Sequence, residues 1–332
     1  MVSLLVAGGT GVVGAAVAEL ASERGHSVRT LSRSEASARD GVRHHVGDAR
    51  VADLGLDPGE ADEVREEVDA IVVAVGTFDL SISLSGATAE HLAPLRGVLA
   101  FAQSCPRLRT VVLVSSLLAV GDVRQRVDSG FVPVGSKHRN FYEWAKLAGE
   151  KVARSSSIPV DIVRAGHILA GRMDASPPDP QAIMSLLPML AAGWPLPVVG
   201  SNRYWAAPPG FVAEIVVDRA ERGTGGSSVW AVDPRSPSYA QIFDLANARY
   251  GLRSRRVRSA SLARAVAAVV RPSWVDLGIP REVFDYCNAV WDLDLACLDA
   301  LIDDGRVTPP PDRQYVVDAL DAEYRRLQEC LP

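Results

Sequence analysis

Tyr142 and Lys146 stand four residues apart in FYEWAKLAGEK, and on a helix that spacing places a phenol and an ammonium on one face. A free phenol has a pKa of about 10, too high for acid–base work near neutrality, and a nearby ammonium favours its ionised form. Y-x-x-x-K recurs by chance, so it carries little weight alone. Here Ser115 and Ser116 precede it at the end of an apolar run, and Glu150 follows it. A second stretch, Gly8-Gly9-Thr10-Gly11-Val12-Val13-Gly14, could hold a phosphate. It reads as G-x-G-x-x-G on Gly9, Gly11 and Gly14, or as G-x-x-G-x-x-G on Gly8, Gly11 and Gly14. The early glycines make a tight turn and let a pyrophosphate approach the backbone. The last lets helix and strand pack closely, and the helix start offers amide donors and a positive dipole. A purely structural glycine turn is the alternative, but the setting between a strand and a helix favours dinucleotide binding.

The elements that must position these groups alternate along the first half. Strands are expected at Val2–Ala7, Ser27–Ser32, Val42–Val46, Ala70–Val75, Thr110–Ser115 and Val160–Arg164. These are short apolar runs with little alternation, the mark of strands covered on both faces. Helices are expected between them at Val12–Arg24, Glu60–Glu67, Thr88–Gln103 and Asn140–Ser155. Strand and helix repeating in this way predict an α/β Rossmann fold, a doubly wound parallel sheet with right-handed crossovers. The pattern breaks at Arg172–Gln181, RMDASPPDPQ, where prolines forbid a helix or a central strand. Beyond it helices are expected at Ile183–Ala192, Val212–Arg222, Tyr239–Tyr250, Ser261–Val270, Leu293–Asp303 and Arg313–Cys330, with one strand near Val229–Val232. The division expected is a cofactor-binding domain over 1–170 and a smaller, mainly helical, substrate-capping part over 171–332. A return of some of its segments to the sheet is left open.

The residue after the second strand separates NAD from NADP, since an acid there bonds the ribose hydroxyls and a base welcomes a 2′-phosphate. The sequence reads Leu31-Ser32-Arg33-Ser34, placing Arg33 where the acid would sit and Ser32 as a neighbouring donor. A guanidinium and a phosphate make a strong charge-assisted contact, so the reading is NADPH, against a merely solvated arginine.

With the GGTG turn, the Ser–Ser strand end and Tyr142-x-x-x-Lys146 together, the chain resembles the extended branch of the short-chain dehydrogenase/reductase superfamily. That resemblance implies that serine, tyrosine and lysine act together on a carbonyl or alcohol beside the nicotinamide. Lys146 would lower the pKa of Tyr142 and hold the nicotinamide ribose, while the serine would bond the substrate oxygen as charge develops. In extended members the active serine lies five residues before a glycine, here Gly121, which selects Ser116 over Ser115. Gly47-Asp48 resembles the family's adenine-contacting pair, with Ala49 beside it and a plain turn as the alternative, and Ala74-Val75-Gly76 the segment under the adenosine. Arg164-Ala165-Gly166-His167 sits where relatives touch the nicotinamide carboxamide, with Ala165 in place of a usual proline. The stretch Ser116–Arg154 and the Pro309–Tyr315 segment are similar to the thioester-reductase and fatty-acyl-reductase subgroup. His91 falls near a position where relatives commonly place an asparagine.

Composition excludes other classes. The 332 residues hold 35 basic and 40 acidic side chains, a net charge of −5, which argues against nucleic acid as partner. A hydrophobic share of 48% is too high for a disordered chain, and no apolar run reaches the ~18 residues of a membrane span. VSLLVAGGTGVVG lacks a basic n-region and is broken by glycines, so it reads as mature structure and not as a signal peptide. Cys105, Cys287, Cys297 and Cys330 stand far apart, fitting neither a disulfide scaffold nor a zinc site, and point to a reducing, cytoplasmic setting. The six histidines lack carboxylates at ligand spacing, so no metal is expected. Trp194, Trp205, Trp274 and Trp291 read equally as core or as the lining of an apolar pocket. Leu262–Val270 reads as a core or dimer helix ahead of a membrane-surface one, which leaves a homodimer open.

The expected function is NADPH-dependent reduction of a ketone, aldehyde or acyl thioester on a largely apolar small molecule. The rivals are an epimerase or dehydratase that recycles its hydride, and a non-catalytic NADPH-binding sensor. Leu117-Leu118-Ala119 beside the serine, where sugar dehydratases add acids, and the retained Tyr142 and Lys146 count against each in turn.

Overall fold

The computed structural model describes residues 1–37, 39–131, 135–170, 187–193, 202–223, 225–253, 255, 257, 281–286 and 289–330. Seven runs form one parallel sheet: β1 (Ser3–Ala7), β2 (Ser27–Ser32), β3 (Val42–Val46), β4 (Ala70–Val73), β5 (Thr110–Ser116), β7 (Val160–Ala165) and β10 (Ser228–Ala231). Their order is β10-β7-β5-β4-β1-β2-β3. β6 (Arg126–Val127) pairs with β11 (Asp292–Leu293), and β8 (His167–Ile168) with β9 (Ala206–Ala207).

The central strands are mostly apolar because both faces are covered. Leu4 and Val6 of β1 join one core cluster with Val17 of α1 (Val12–Glu23) and Ile215 of α7 (Pro209–Arg222). Leu5 and Ala7 face the other way, toward Val64 of α2 (Pro58–Glu67) and Val98 of α4 (Ala93–Ala102). Successive side chains of a strand point to opposite faces, so one five-residue run serves two cores. β10 and α7 come from the second half of the chain: β10 extends the sheet beyond β7, and α7 packs on α1. The remaining helices are α3 (Leu84–Ala87), α5 (Phe141–Arg154), α6 (Leu187–Ala191), α8 (Tyr239–Tyr250), α9 (Ala296–Asp303) and α10 (Gln314–Cys330).

Three departures have physical reasons. The helix expected over Thr88–Gln103 begins earlier, at Leu84, where the Ser83 hydroxyl accepts from the amide of Gly86. It then takes a π turn over Thr88–Leu92, in which the Ala93 amide donates to the Thr88 carbonyl. Pro94 explains the turn: inside a continuous α-helix its ring would clash with the carbonyl of residue 90, and the wider turn lets it open α4 instead. α7 starts at Pro209 and not at Val212, because proline suits a first helical position where no amide bond is missed. Leu293 pairs with Val127 in β11, so the helix expected from it begins at Ala296. The Arg172–Gln181 break, the Ser261–Val270 helix, Trp194, Trp274 and Cys287 lie outside the described residues.

Candidate active site

In an open parallel sheet ligands bind beyond the carboxyl ends of the strands, where the strand order reverses. That point is between β1 and β4. β1 runs into the glycine turn there. Gly8 has φ +87°, and its amide donates to the Leu31 carbonyl at 2.9 Å. A Cβ on Gly14 would lie 2.1 Å from the Gly8 oxygen, so only glycine lets α1 start this close to the strand. The first turn of α1 carries no side-chain cap, leaving its amides directed at the cleft.

Two connected hollows share Gly11, Ala74, Val75 and Gly76. The first, about 230 Å³, is lined by Gly8, Thr10, Ser32, Arg33, Asp48 and Ala49. The second, about 390 Å³, is lined by Val12, Val13, Ser116, Tyr142, Lys146, Ala165 and His167, with Phe78, Leu118, Ile168 and Tyr204 on its apolar side. Of the residues expected to bind the cofactor or act in catalysis, Gly9 and Gly14 alone are absent from both linings. Both serve packing: a Cβ on Gly9 would meet Thr30 at 2.4 Å.

α5 carries Tyr142 and Lys146 into the second hollow, its start capped by Asn140, whose side-chain oxygen accepts from the Glu143 amide at 3.0 Å. Tyr142 is buried in a box of rings. Phe78 and His91 stand edge-on to it at 5.3 and 5.4 Å, and the Lys146 Nζ lies 5.6 Å from its ring centroid. Burial pushes the phenol up to about 12; a hydrogen bond with Ser116 pulls the other way, and the charge of Glu143 adds to the rise. The expected lowering by Lys146 is therefore corrected. The ammonium sits over the ring, and loss of water is the largest cause of the phenol's shift. Burial instead draws Lys146 down to about 8, against the pull of Glu150.

The two serines do different things. Ser115 is buried and donates to Glu150 Oε1 at 2.7 Å. Glu150 in turn receives Arg164 through Nε at 2.9 Å and Nη2 at 2.6 Å, and the guanidinium lies 5.0 Å from the Trp230 ring. This network ties α5 to β5, β7 and β10 beneath the hollow. Ser116 faces the hollow, and its Oγ accepts from the Leu118 amide at 3.1 Å.

Both neighbouring histidines are neutral near pH 7. Burial, then the charge of Lys146, lowers His91 to about 3, and burial lowers His167 to about 4. His91 packs so closely under Gly76 that a Cβ there would lie 2.4 Å from Nδ1. His167 stacks on Tyr204 at 4.4 Å. Trp205 and Trp291 are buried core: Trp205 Nε1 donates to the Trp291 carbonyl at 2.9 Å and Trp291 Nε1 to that of Gly121 at 3.0 Å.

Sequence reasoning missed three groups. Arg50 and Glu90 line the first hollow beside Arg33. Tyr286 donates to the buried Glu143 at 2.8 Å and accepts from Asn140 at 2.8 Å, pinning the residue beside Tyr142. Glu143 and Asn140 were visible at the start of α5; their partner, some 140 residues away, was not.

An arrangement of hydroxyl, phenol and ammonium at the end of a dinucleotide cleft can deliver a proton to an oxygen beside a bound nicotinamide. No curated protein matches the chain. Among solved structures, the terminal R domain from the myxalamid PKS-NRPS biosynthetic pathway shares the fold at a TM-score of 0.79 and 18% identity, covering 98% of this chain and 91% of that one. The thiolation-reductase di-domain from an archaeal non-ribosomal peptide synthetase gives 0.74 at 13% identity, over 99% and 76% of the two chains. Human epimerase family protein SDR39U1 with NADPH gives 0.64 at 18%, over 97% and 99%. The family model described as male sterility protein matches residues 15–194, more than half of the chain. The chain belongs to that family and is an NAD(P)-dependent enzyme of the extended short-chain dehydrogenase/reductase type.

Proposed function

We propose that this enzyme uses NADPH to reduce a carbonyl on a largely apolar substrate, through Ser116, Tyr142 and Lys146. The observation that carries the reading is the convergence of these three side chains on one hollow, walled by Phe78, Leu118, Ile168 and Tyr204 and joined to a glycine cradle with Arg33 at its far end. When bound, the nicotinamide supplies a hydride to the carbonyl carbon. Tyr142 gives its proton to the carbonyl oxygen, so a ketone or aldehyde becomes the alcohol, an acyl thioester becomes a hemithioacetal that releases thiol and aldehyde, and the phenol is left ionised. A phenol held at about 12 keeps that proton at working pH and gives it up only as the oxygen becomes basic. Ser116 donates to the same oxygen, and the Lys146 ammonium stabilises the phenolate that forms. The uncapped amides of Val12 and Val13 hold the pyrophosphate, and Ser32, Asp48, Ala49, Ala74, Val75 and Gly76 line the adenosine path. Ala165 and His167 border the nicotinamide end.

Similarity to the thiolation-reductase di-domain supports a thioester, aldehyde or ketone as the carbonyl, and similarity to the epimerase family protein keeps hydride recycling as the second reading. One assay separates them. NADPH is supplied with medium-chain and aromatic ketones, aldehydes and acyl thioesters, and the nicotinamide absorbance is followed; nucleotide sugars are followed in parallel by NMR. Stoichiometric loss of NADPH with product is the expected result. Conversion of a nucleotide sugar with no NADPH lost would overturn it.

A further inference from the structure

We infer that Glu90 occupies the seat of the cofactor's 2′-phosphate between two arginines, and that Arg50 is the second arm of that seat; the inference rests on the NADPH reading of Arg33. One Glu90 carboxylate oxygen faces Arg33 Nη2 at 3.4 Å and the other faces Arg50 Nη1 at 3.3 Å, across the mouth of the first hollow. Arg50 is held in place from behind by Asp48, through Nε at 2.9 Å and Nη2 at 2.6 Å, and this pairing keeps the Asp48 carboxyl below the usual carboxylate range. Its remaining donor is turned to Glu90. The carboxylate is thus an anion with one oxygen on each guanidinium, the arrangement a phosphate would take with more charge and more oxygens.

The contacts show which anion wins. Charge-assisted bonds run near 2.7–2.9 Å, and both Glu90 contacts are about half an ångström longer. A loosely held single charge yields to a phosphate monoester, which carries roughly −1.5 to −2 at pH 7. A ribose without that phosphate has no charge with which to displace Glu90. The carboxylate then remains between the arginines and keeps the seat filled. Glu90 acts as a specificity-determining residue, since a ligand lacking the phosphate meets an already neutralised pair of arginines. The π turn over Thr88–Leu92 is what places it there, one residue from the buried His91.

The test is calorimetric titration of the full chain with adenosine 2′,5′-bisphosphate and with 5′-AMP, which differ by the 2′-phosphate alone. Glu90→Gln should bind the bisphosphate about 3- to 10-fold more tightly, with 5′-AMP changed less than twofold. Arg50→Met should bind the bisphosphate about 5- to 30-fold more weakly. An unchanged or weaker bisphosphate affinity in Glu90→Gln overturns the inference, as does an equal loss for 5′-AMP, which would make Glu90 a ribose partner. Thermal melting of each variant confirms the fold, and Arg50→Met bears on the seat whichever way Glu90→Gln behaves. Failure of the cofactor reading is separate: wild type binding NADH and NADPH equally would sink that reading, while a gain for the bisphosphate in Glu90→Gln would still support the seat.

Discussion

The two ends of the cleft are built on opposite principles. At the Arg33 end the charged groups are partly exposed and pair directly with one another: Arg33 is 59% exposed and Glu90 26%. At the Tyr142 end the groups are withdrawn from water, and burial is the largest cause of every shift there, for Tyr142, Lys146, His91 and His167 alike. Exposed ion pairs exchange partners at little cost. Buried groups do not, because each unpaired charge meets a large desolvation penalty. On the proposed reading, one end recognises and the other holds proton positions.

Tyr142→Phe probes the buried end most sharply. It removes one oxygen and should lower turnover by about 100- to 10,000-fold with cofactor affinity nearly intact, as measured by steady-state kinetics beside cofactor titration. Full activity in that variant would move the chemistry elsewhere.

Stability should divide the same way. Arg164→Met leaves the Glu150 carboxylate, 1% exposed, without its partner and should cost about 3–5 kcal/mol in urea unfolding. Arg50→Met, at the exposed end, should leave the unfolding midpoint nearly unchanged. Equal losses would erase the contrast.

Arg33→Ala should weaken NADPH binding by about 10- to 100-fold and leave NADH binding close to wild type. A matching loss for NADH would show that Arg33 supports the cofactor elsewhere than at the phosphate.

The smallest expected effect is on the pH profile. Lys146 is protonated below about 8 and neutral above it, so kcat/KM for reduction should be flat from pH 6 to 7.5 and fall about tenfold per unit above pH 8. The two neutral histidines titrate near 3 and 4 and should add no acid limb in that range. Lys146→Arg, which stays charged, should move the fall upward. A fall at the same pH in that variant would assign it to another group.

How much of this was legible in the sequence follows from how local each cause is. The sheet strands were legible because a strand covered on both faces must be largely apolar, as AIVV and the VVLV within TVVLVSS are. The glycine turn and the Tyr–Lys pair were legible because backbone approach and helical spacing are written within a few residues. Glu90 was not, since its direction depends on a π turn forced by Pro94. The behaviour of Tyr142 was misjudged for a related reason: Phe78 and His91, which exclude water from it, lie some 50 to 65 residues away in the chain.

The seventh strand has a consequence for synthesis. β10 and α7 arrive after the glycine turn, Tyr142 and Lys146 are already made, yet they complete the layer on which all of these rest. A ribosome adding ~5–20 residues per second needs roughly 3–13 s to pass from the end of β7 to the end of β10. Throughout that interval β7, paired with β5 on one side, leaves its other edge without the β10 partner, the kind of edge that recruits other strands. A nascent chain stalled near residue 170 is therefore an aggregation hazard, and the interval is where a chaperone has most to protect.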